Sequence, residues 1–468
     1  MEKTLVGPQL RQIRHSHKHT QSEMARRLGV SAAYVNLLEN NQRSLSVKVL
    51  LALSDAYGVE ARNLVKDNSA MQLADLRASV RDPIFSGQQP DLTELRAALD
   101  HTPKLVEYFL QLHKNHHALL ETMRSMSSDD VSAEFQTIRP ETAIHNFFRD
   151  HANHFPQLEI AAEAARAAVG SPVEDLFANL KRHLKNAFGI EVSVAAAGAM
   201  DNSLRVFDQE HSTVTLSEAL DPINRNFQLA HVLALVSCSS LLDTLVSDAA
   251  ISSETGRARC RVELANYFAA ALLMPYDAIF DLAEQTKYDI DRIATHFAVS
   301  FEQVSHRLTT LQRKGAQGVP FFFLRIDTAG NVTKRFNATS FTLAEQGGSC
   351  PVWNIHSAFA SPDVIVPQFV ELPDAGQFFT ISRTTNRPVN SRHTQGRRLV
   401  VTLGCERAHV HRVGYAAPFN LEETSVIAPI GINCHICPRR ECAQRAYEPL
   451  HVSLPLDANR RGSTRYQS

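Results

Sequence analysis

The sequence predicts a chain of several domains, mainly α in its N-terminal half and α+β in its C-terminal half. Three observations lead there. At 468 residues the chain exceeds the roughly 100–200 residues of an ordinary single domain. Apolar residues recur at helical spacing as far as about Val169, and from Ile190 they give way to short alternating runs. Cys350, Cys405, Cys434, Cys437 and Cys442 crowd the last third, which marks a region with chemistry of its own.

Composition narrows the function classes. A hydrophobic fraction of 44% suffices for sizeable cores. Lys and Arg total 48 against 49 Asp and Glu, which excludes a globally basic nucleic-acid coat but allows local patches. One patch is N-terminal, where Lys3, Arg11, Arg14, Lys18, Arg26, Arg27, Arg43 and Lys48 outweigh Glu2, Glu23 and Glu39. A second spans 383–412, where Arg383, Arg387, Arg392, Arg397, Arg398, Arg407 and Arg412 meet Glu406 alone. The longest apolar stretch, Val232 to Leu242, falls short of the ~18 residues of a membrane helix, so no membrane partner is expected. Met-Glu-Lys leads into no apolar run of a secretory signal. Seven cysteines, an odd count without export, read as reduced thiols in a cytoplasmic protein. Cys238 and Cys260 lie within apolar helical patterns and read as core residues.

Residues 1–70 read as a bundle of short helices. Thr20 or Ser22 caps a helix ending near Leu28, Gly29 suits the turn, and Ser31 caps the next helix, to about Glu39. Residues 71–170 form a helical linker and dimerisation region. Within it Thr102-Pro103 starts a second helix in the span 91–124, Ser125 to Ser132 is a polar linker, and helices resume to Val169. His113, His117 and Glu121 share a helix face, a pattern that suits a metal but more often marks an exposed polar face. Residues 171–315 begin with short strands at Ile190–Ala195, Leu204–Phe207 and Thr213–Leu216. Helices follow at Asn224–Leu242 and Arg257–Met274, the second ended by Pro275, and then a helical pair at Ile290–Arg313. Residues 316–458 open with a hairpin, Phe321–Ile326 and Asn331–Phe336, turning at Thr328-Ala329-Gly330-Asn331, and continue to Val413 as short strands and Pro-rich turns. Residues 459–468 are a polar, basic, disordered tail.

The segment TQSEMARRLGVSAAYVNLLENNQRSLS has helix–turn–helix spacing. Ala25 is small where two helices approach, and Val30 and Leu37 bury the angle between them. The second helix presents Ala32, Ala33, Tyr34 and Asn36 outward. Gln21 and Ser31 can donate to phosphate, Asn36 or Asn40 can pair with an adenine edge, and Arg43 can reach backbone or minor groove. The pattern T-Q-x-x-x-A-x-x-L-G-V-S-x-x-Y-V-x-x-L-E resembles the XRE family of lambda-repressor-like regulators over about 60 residues, which implies binding to double-stranded operator DNA.

NRNFQLAHVLALV and VELANYFAAALLMP together resemble the ImmA/IrrE metallopeptidase family. The zinc chemistry of that family needs two His one turn apart and a Glu beside them as base. Here His231 stands at the first position, Val232 replaces the base, Leu235 replaces the second His, and the ligand Glu263 survives. The reading is a retained fold with lost catalysis, so no catalytic residue and no enzyme activity are expected. DIDRIATHFAVSFEQVSHRLTTL echoes the helix–turn–helix at Ala294, Val299 and Ser300, and can pack on this domain rather than touch DNA.

In GINCHICPRRECAQRAYEP, Cys434, Cys437 and Cys442 can grip one metal centre from a single loop, with Cys350 or Cys405 as the fourth thiolate. Four thiolates fit structural zinc or an iron–sulfur cluster, and the single C-x2-C unit favours the cluster. CPVWNIHSAF, LGCERAH and IGINCHICPRRECAQRA, after an XRE segment and a degenerate peptidase region, resemble the short-chain fatty acyl transcriptional regulators. That resemblance implies a C-terminal sensor of a short-chain acyl-CoA, in some members with a [4Fe–4S] cluster, whose ligands here would be Cys350, Cys434, Cys437 and Cys442. Arg383, Arg397 and Arg398 would take CoA phosphates, and Phe378, Phe379 or Tyr415 would stack on its base. The reading is a DNA-binding regulator of propionate, acetate, methylcitrate or glyoxylate metabolism, acting as a homodimer. Its rivals are a zinc protease of the ImmA/IrrE type that cleaves a repressor, and a transcription factor that senses redox state or iron.

Overall fold

The computed structural model describes the chain outside residues 1–6, 18, 40–41, 44, 58–68, 83, 86–88, 126–139, 171–174, 201–202, 250, 342–348, 387–396, 422, 424, 450–453 and 455–468. Asn40, the Glu121 side chain, most of the expected polar linker and the 459–468 tail lie outside the described residues. The chain divides into two compact units, Met1–Asp130 and Val131–Ser468.

The first unit begins with helices α1 (Gly7–Ser16), α2 (Gln21–Leu28), α3 (Ala32–Glu39) and α4 (Val47–Tyr57). Thr20 caps α2 rather than Ser22. Its hydroxyl accepts from the Glu23 amide at 3.2 Å and the Glu23 carboxylate accepts from the Thr20 amide at 2.7 Å. Gly29 ends α2 in the left-handed region at φ +66°. Leu10, Met24, Ala25, Leu28, Val35, Leu38 and Leu53 form the core of these helices. Val30 and Leu37 were expected to fill the angle between α2 and α3, but both are only half-buried. With α3 starting at Ala32, Val35 and Leu38 take the inward phase three residues apart, and Leu37 lies to one side. Helices α5 (Ser69–Val80), α6 (Leu92–His101) and α7 (Pro103–Ser125) form a smaller cluster around Leu76, Leu95 and Val106.

The second unit opens with α8 (Pro140–Asp150), α9 (Pro156–Val169) and α10 (Leu176–Phe188). The expected 71–170 region is therefore divided. Its last helices, α8 and α9, bury Phe148 and Leu158 in the core of the second unit, together with Phe155 just before α9. Strands β1 (Glu191–Ala195), β2 (Arg205–Asp208) and β3 (Thr213–Ser217) form a small sheet of order β1-β3-β2, with β1 parallel and β2 antiparallel to β3. The single helix expected over 224–242 is two, α11 (Pro222–Ser237) and α12 (Ser239–Asp248), bent by 83°. The break falls in Ser237-Cys238-Ser239, where the Ser237 hydroxyl donates to the Leu233 carbonyl at 2.7 Å, one turn back. Among the described residues no single helix is long and apolar enough to cross a membrane.

Helix α13 (Glu254–Leu273) is the spine of this unit, buried almost continuously from Leu264 to Met274. It is followed by α14 (Tyr276–Thr286), α15 (Ile290–Phe297), α16 (Phe301–Leu308) and the short pair β4 (Gln312–Arg313) and β5 (Ala316–Gln317). A larger sheet then forms from β6 (Phe321–Ile326), β7 (Val332–Asn337), β8 (Val366–Glu371), β9 (Gln377–Asn386), β10 (Arg398–Glu406) and β11 (Ile427–Pro429), in the order β11-β8-β9-β10-β6-β7. Its two faces are both covered. Phe321, Phe323, Phe379, Ile381, Val401, Leu403 and Cys405 join the main core, while Phe322, Leu324, Phe378 and Val400 join a second core with Cys350, Trp353 and Ile430. The run Phe321-Phe322-Phe323-Leu324 is continuous for that reason. The hairpin β6–β7 lies where the sequence placed it, but β9 and β10 are long strands rather than short ones. Buried Thr380, Ser382, Thr384 and Thr402 interrupt their apolar periodicity, and Ser382 and Thr402 share a 2.7 Å hydroxyl hydrogen bond.

Candidate functional site

The helix–turn–helix presents a polar face. Ser31, Ala32, Ala33, Asn36 and Arg43 are exposed, and Tyr34 is half-buried with the Arg43 guanidinium 5.7 Å from its ring centre. Ser31 caps α3 by accepting from the Tyr34 amide at 3.1 Å, which leaves its hydroxyl proton free to donate. Gln21 and Asn36 are brought together across the turn, with the Gln21 amide 3.4 Å from the Asn36 oxygen. The organiser is Glu39, which sequence reasoning missed. Its buried carboxylate accepts from Arg14 at 2.6 Å and 3.1 Å and from Gln21 at 2.8 Å. Burial raises its pKa, but the Arg14 and Gln21 hydrogen bonds outweigh that and hold it below the ordinary carboxylate value. The second helix–turn–helix echo has no such face. Val304, Ser305, His306, Arg307 and Leu308 of α16 are buried in the core of the second unit.

The peptidase-like centre is filled by protein cations. His231 is 4% exposed, and Arg205 Nη1 stands 2.7 Å from its Nδ1. Burial, then Arg205, lowers its pKa to about 4, so it is neutral at physiological pH. Lys334 Nζ pairs with Glu263 Oε2 at 3.0 Å, and Asn266 donates to the same carboxylate at 3.3 Å. Burial raises the Glu263 pKa, but Lys334 outweighs it and keeps the carboxylate ionised. Two fixed positive charges thus stand beside the His and Glu that would have to bind zinc, with Val232 and Leu235 in place of the base and the second imidazole.

Four of the five late cysteines converge on one pocket. Cys350, Cys434, Cys437 and Cys442 line it together with Gly431, Asn433, Arg439 and Arg445. Cys350 sits in the turn where the Trp353 amide donates to its carbonyl at 3.0 Å, at the edge of the second core. The Cys434–Cys437 turn is closed by Asn433, whose side-chain oxygen accepts from the Ile436 amide at 3.2 Å. β11 pairs in parallel with β8, and the loop after it is held at Glu371. The Ile430 amide donates to the Glu371 carbonyl at 3.0 Å and Arg439 Nη2 to the same oxygen at 2.8 Å. A Cβ on Gly431 would lie 2.6 Å from Cys437 Sγ, so only glycine lets the chain pass this close to the thiol. The Cys350 thiol is raised by burial, and the Gly431 amide, as a donor to it, acts in the opposite sense. Cys405 lies elsewhere, fully buried in β10 opposite Phe321 and Phe379, with its pKa pushed up to about 12 by burial.

Arg445 is the residue here that the sequence did not single out. It is 5% exposed, one Nη donates to the Arg439 carbonyl, and its Nε and other Nη have no hydrogen-bond partner among the described residues. A buried guanidinium with idle donors beside four thiols suits an anionic group held by thiolates.

The expected CoA contacts divide. Arg397 and Arg398 are exposed, whereas Arg383 pairs with Asp291 at 2.5 Å and lies over the Phe301 ring. Phe378 and Phe379 offer no stacking face, because they fill the second and main cores at 1% and 2% exposure. Tyr415 is tied to α15, accepting from the Ile290 amide at 2.9 Å.

Comparison with known proteins agrees with this arrangement. Residues 10–64 match a helix-turn-helix model, residues 185–309 an IrrE N-terminal-like domain, and residues 310–466 the model of a short-chain fatty acyl coenzyme A regulator, C-terminal domain. The chain is 35% identical to a propionyl-CoA carboxylase regulator of Cereibacter sphaeroides, over 100% of this chain and 99% of that one. It is similar to two Mycobacterium tuberculosis proteins, the HTH-type transcriptional regulators PrpR, at 35% identity over 100% of this chain and 96% of the other, and RamB, at 32% over 98% of each. A solved Mycobacterium tuberculosis transcriptional regulator superposes with a TM-score of 0.67 at 37% identity, covering 70% of this chain and 100% of that one.

Proposed function

The chain belongs to the short-chain fatty acyl coenzyme A regulator family, and from that premise we propose that it is a DNA-binding regulator of short-chain fatty acid metabolism whose sensor pocket holds an iron–sulfur cluster. Operator DNA is bound by the face of Gln21, Ser31, Asn36 and Arg43. A short-chain acyl-CoA is the effector, and Arg397 and Arg398 are the exposed guanidinium groups offered to its phosphates. The protein acts as a homodimer, since one helix–turn–helix reads one half-site. The effector controls DNA binding only through a difference in its affinity for the two states of the regulator.

The observation that carries the cluster reading is the convergence of Cys350, Cys434, Cys437 and Cys442 on one pocket beside the idle donors of Arg445. These four thiolates would hold the cluster, with Asn433 and Gly431 shaping the loop and Arg445 offsetting its charge. A cluster bound there supplies a group that responds to oxygen and redox state.

Iron, zinc and sulfide content per chain after anaerobic purification is the test, for the wild type and for single Ser replacements at the five late cysteines. Iron with sulfide should be lost on replacing Cys350, Cys434, Cys437 or Cys442 and kept in Cys405→Ser. Zinc without sulfide would end the cluster reading, and full retention in both Cys434→Ser and Cys437→Ser would end the site.

A further inference from the structure

The first unit contains a group of side chains that DNA binding does not use. His113 and His117 stand one turn apart on α7, so both imidazoles leave the same helix face. The turn after α5 brings Asp82 opposite them. Its Oδ2 lies 3.1 Å from His113 Nε2 and 2.5 Å from His117 Nε2. The sequence pattern had offered Glu121 as the companion carboxylate, whereas the fold supplies Asp82 from 31 residues earlier than His113. We propose that Asp82, His113 and His117 form a binding site for a divalent transition-metal ion of the zinc class, through two imidazole nitrogens and one carboxylate oxygen.

The donor set is that of a three-ligand zinc site with a fourth position left for water or another donor. The three ligand atoms all lie within 4.8 Å of one another, and among the described residues they are the one such group of His, Cys, Asp or Glu. Bonds of about 2.0–2.1 Å at tetrahedral angles place ligand atoms about 3.3 Å apart. The His113–Asp82 separation already matches, and the His117–Asp82 separation needs to open by less than about 1 Å. The site is also held in place. Asp82 Oδ1 accepts from the Ile84 amide at 2.8 Å, which leaves Oδ2 aimed at the imidazoles. Phe85 and Phe109 lie nearly parallel to the His113 ring, with centroids at 6.1 Å and 6.3 Å. The Asp82 and His113 side chains are 16% exposed and that of His117 is 37%, so the cluster is shielded on one side and open to an entering ion on the other.

A bound ion would clamp the turn after α5 to the middle of α7 and stiffen the helices that follow the DNA-binding ones. This site is separate in sequence and in chemistry from the four thiols. Its ligands are nitrogen and oxygen, which gives the test its discrimination.

The full-length chain is stripped of metal and titrated with Co2+ and with Zn2+, both as wild type and as the Cys434→Ser/Cys437→Ser variant. In that variant, one equivalent of Co2+ should remain, with a visible band and no sulfur-to-metal charge transfer. The same equivalent should disappear in His117→Ala and in Asp82→Asn, while the sulfur charge-transfer band of the wild-type thiols persists. His113→Gln serves as a second, milder variant, and far-UV circular dichroism establishes that each variant is folded. Metal equivalents unchanged in folded His117→Ala and His113→Gln chains would overturn the proposal. So would a wild-type Co2+ spectrum made up wholly of thiolate-ligated metal.

Discussion

Glu159 on α9 illustrates what single residues decide in the second unit. Its carboxylate takes a bidentate pair of hydrogen bonds from Arg307 at 2.6 Å and 2.8 Å and a third from the Tyr267 hydroxyl at 2.5 Å. Arg307 is 0% exposed and also donates to the Met274 carbonyl at 3.1 Å, so one charge pair joins α9, α13 and α16. Burial raises the Glu159 pKa, but Arg307 outweighs burial and the net shift is downward. A carboxylate lowered in the folded state contributes its stability above the ordinary carboxylate range and loses it as pH falls through its folded value. Glu159→Gln leaves the buried Arg307 charge unpaired. The expected cost is about 3–5 kcal/mol, read as a lower urea midpoint with the m-value unchanged and with a weaker acid dependence than the wild type. None of this was legible in the sequence, where Glu159 and Arg307 look like ordinary helix charges 148 residues apart. The cysteines could be singled out in the sequence because of their identity and spacing, while only the fold separates Cys405 from the four that line one pocket. Arg445 could not be singled out, since only the fold shows that its donors are idle. Phe378 and Phe379 were misread for the reverse reason, because an aromatic beside a basic patch suggests stacking until the sheet shows both faces covered.

Helices were read well where their ends carry their own chemistry. Thr20 and Glu23 three residues apart are a capping box in the sequence, and the structure forms both of its hydrogen bonds. Thr20 and Ser22 are both good capping residues, but only Thr20 has a Glu three residues on, since Ala25 holds that place after Ser22, and α2 starts accordingly. Thr20→Ala should therefore destabilise the first unit by about 1 kcal/mol, whereas Ser22→Ala, inside the first turn, should leave its melting temperature within error. A thermal melt of both variants checks this, and equal losses would contradict the cap assignment. Strands were read less well. β9 and β10 bury hydroxyl residues between apolar ones, so their alternation fades although both of their faces are covered. The break between α11 and α12 is a related case. Val232 to Leu242 reads as continuous apolar helix, and the serine back-bond that ends it draws on side-chain geometry rather than on hydropathy. In the peptidase-like region the absences of the base and second imidazole were visible in the sequence. The cations beside His231 and Glu263 were not, because Arg205 and Lys334 come from strands β2 and β7, outside the two helices that carry the family pattern.

Across the whole molecule the hydrophobic residues partition into separate cores. The helix–turn–helix core and the α5–α7 cluster belong to the first unit, and the two cores sharing the larger sheet belong to the second. Separate cores predict separate cooperative transitions in calorimetry. Thr20→Ala should then lower only the transition of the first unit, and Glu159→Gln only that of the second. Operator DNA binds the first unit, so it should raise that transition, by about 2.7 kcal/mol of added stability at a DNA concentration one hundred times Kd. Asn36→Ala should reduce this shift by more than it moves the DNA-free melt, since Asn36 is exposed. Regulation requires the two units to communicate, and the required amount is small. An effector that alters DNA affinity by a factor of 5–150 corresponds to a coupling free energy of about 1–3 kcal/mol. Adding a short-chain acyl-CoA to the DNA complex should therefore move the first transition by that amount, with a sign that states whether the effector favours or releases DNA. By linkage, DNA must alter acyl-CoA affinity by the same factor. An acyl-CoA that shifts the second transition but leaves the DNA-bound first transition in place would show a ligand bound without regulation, and would remove acyl-CoA from the role of effector.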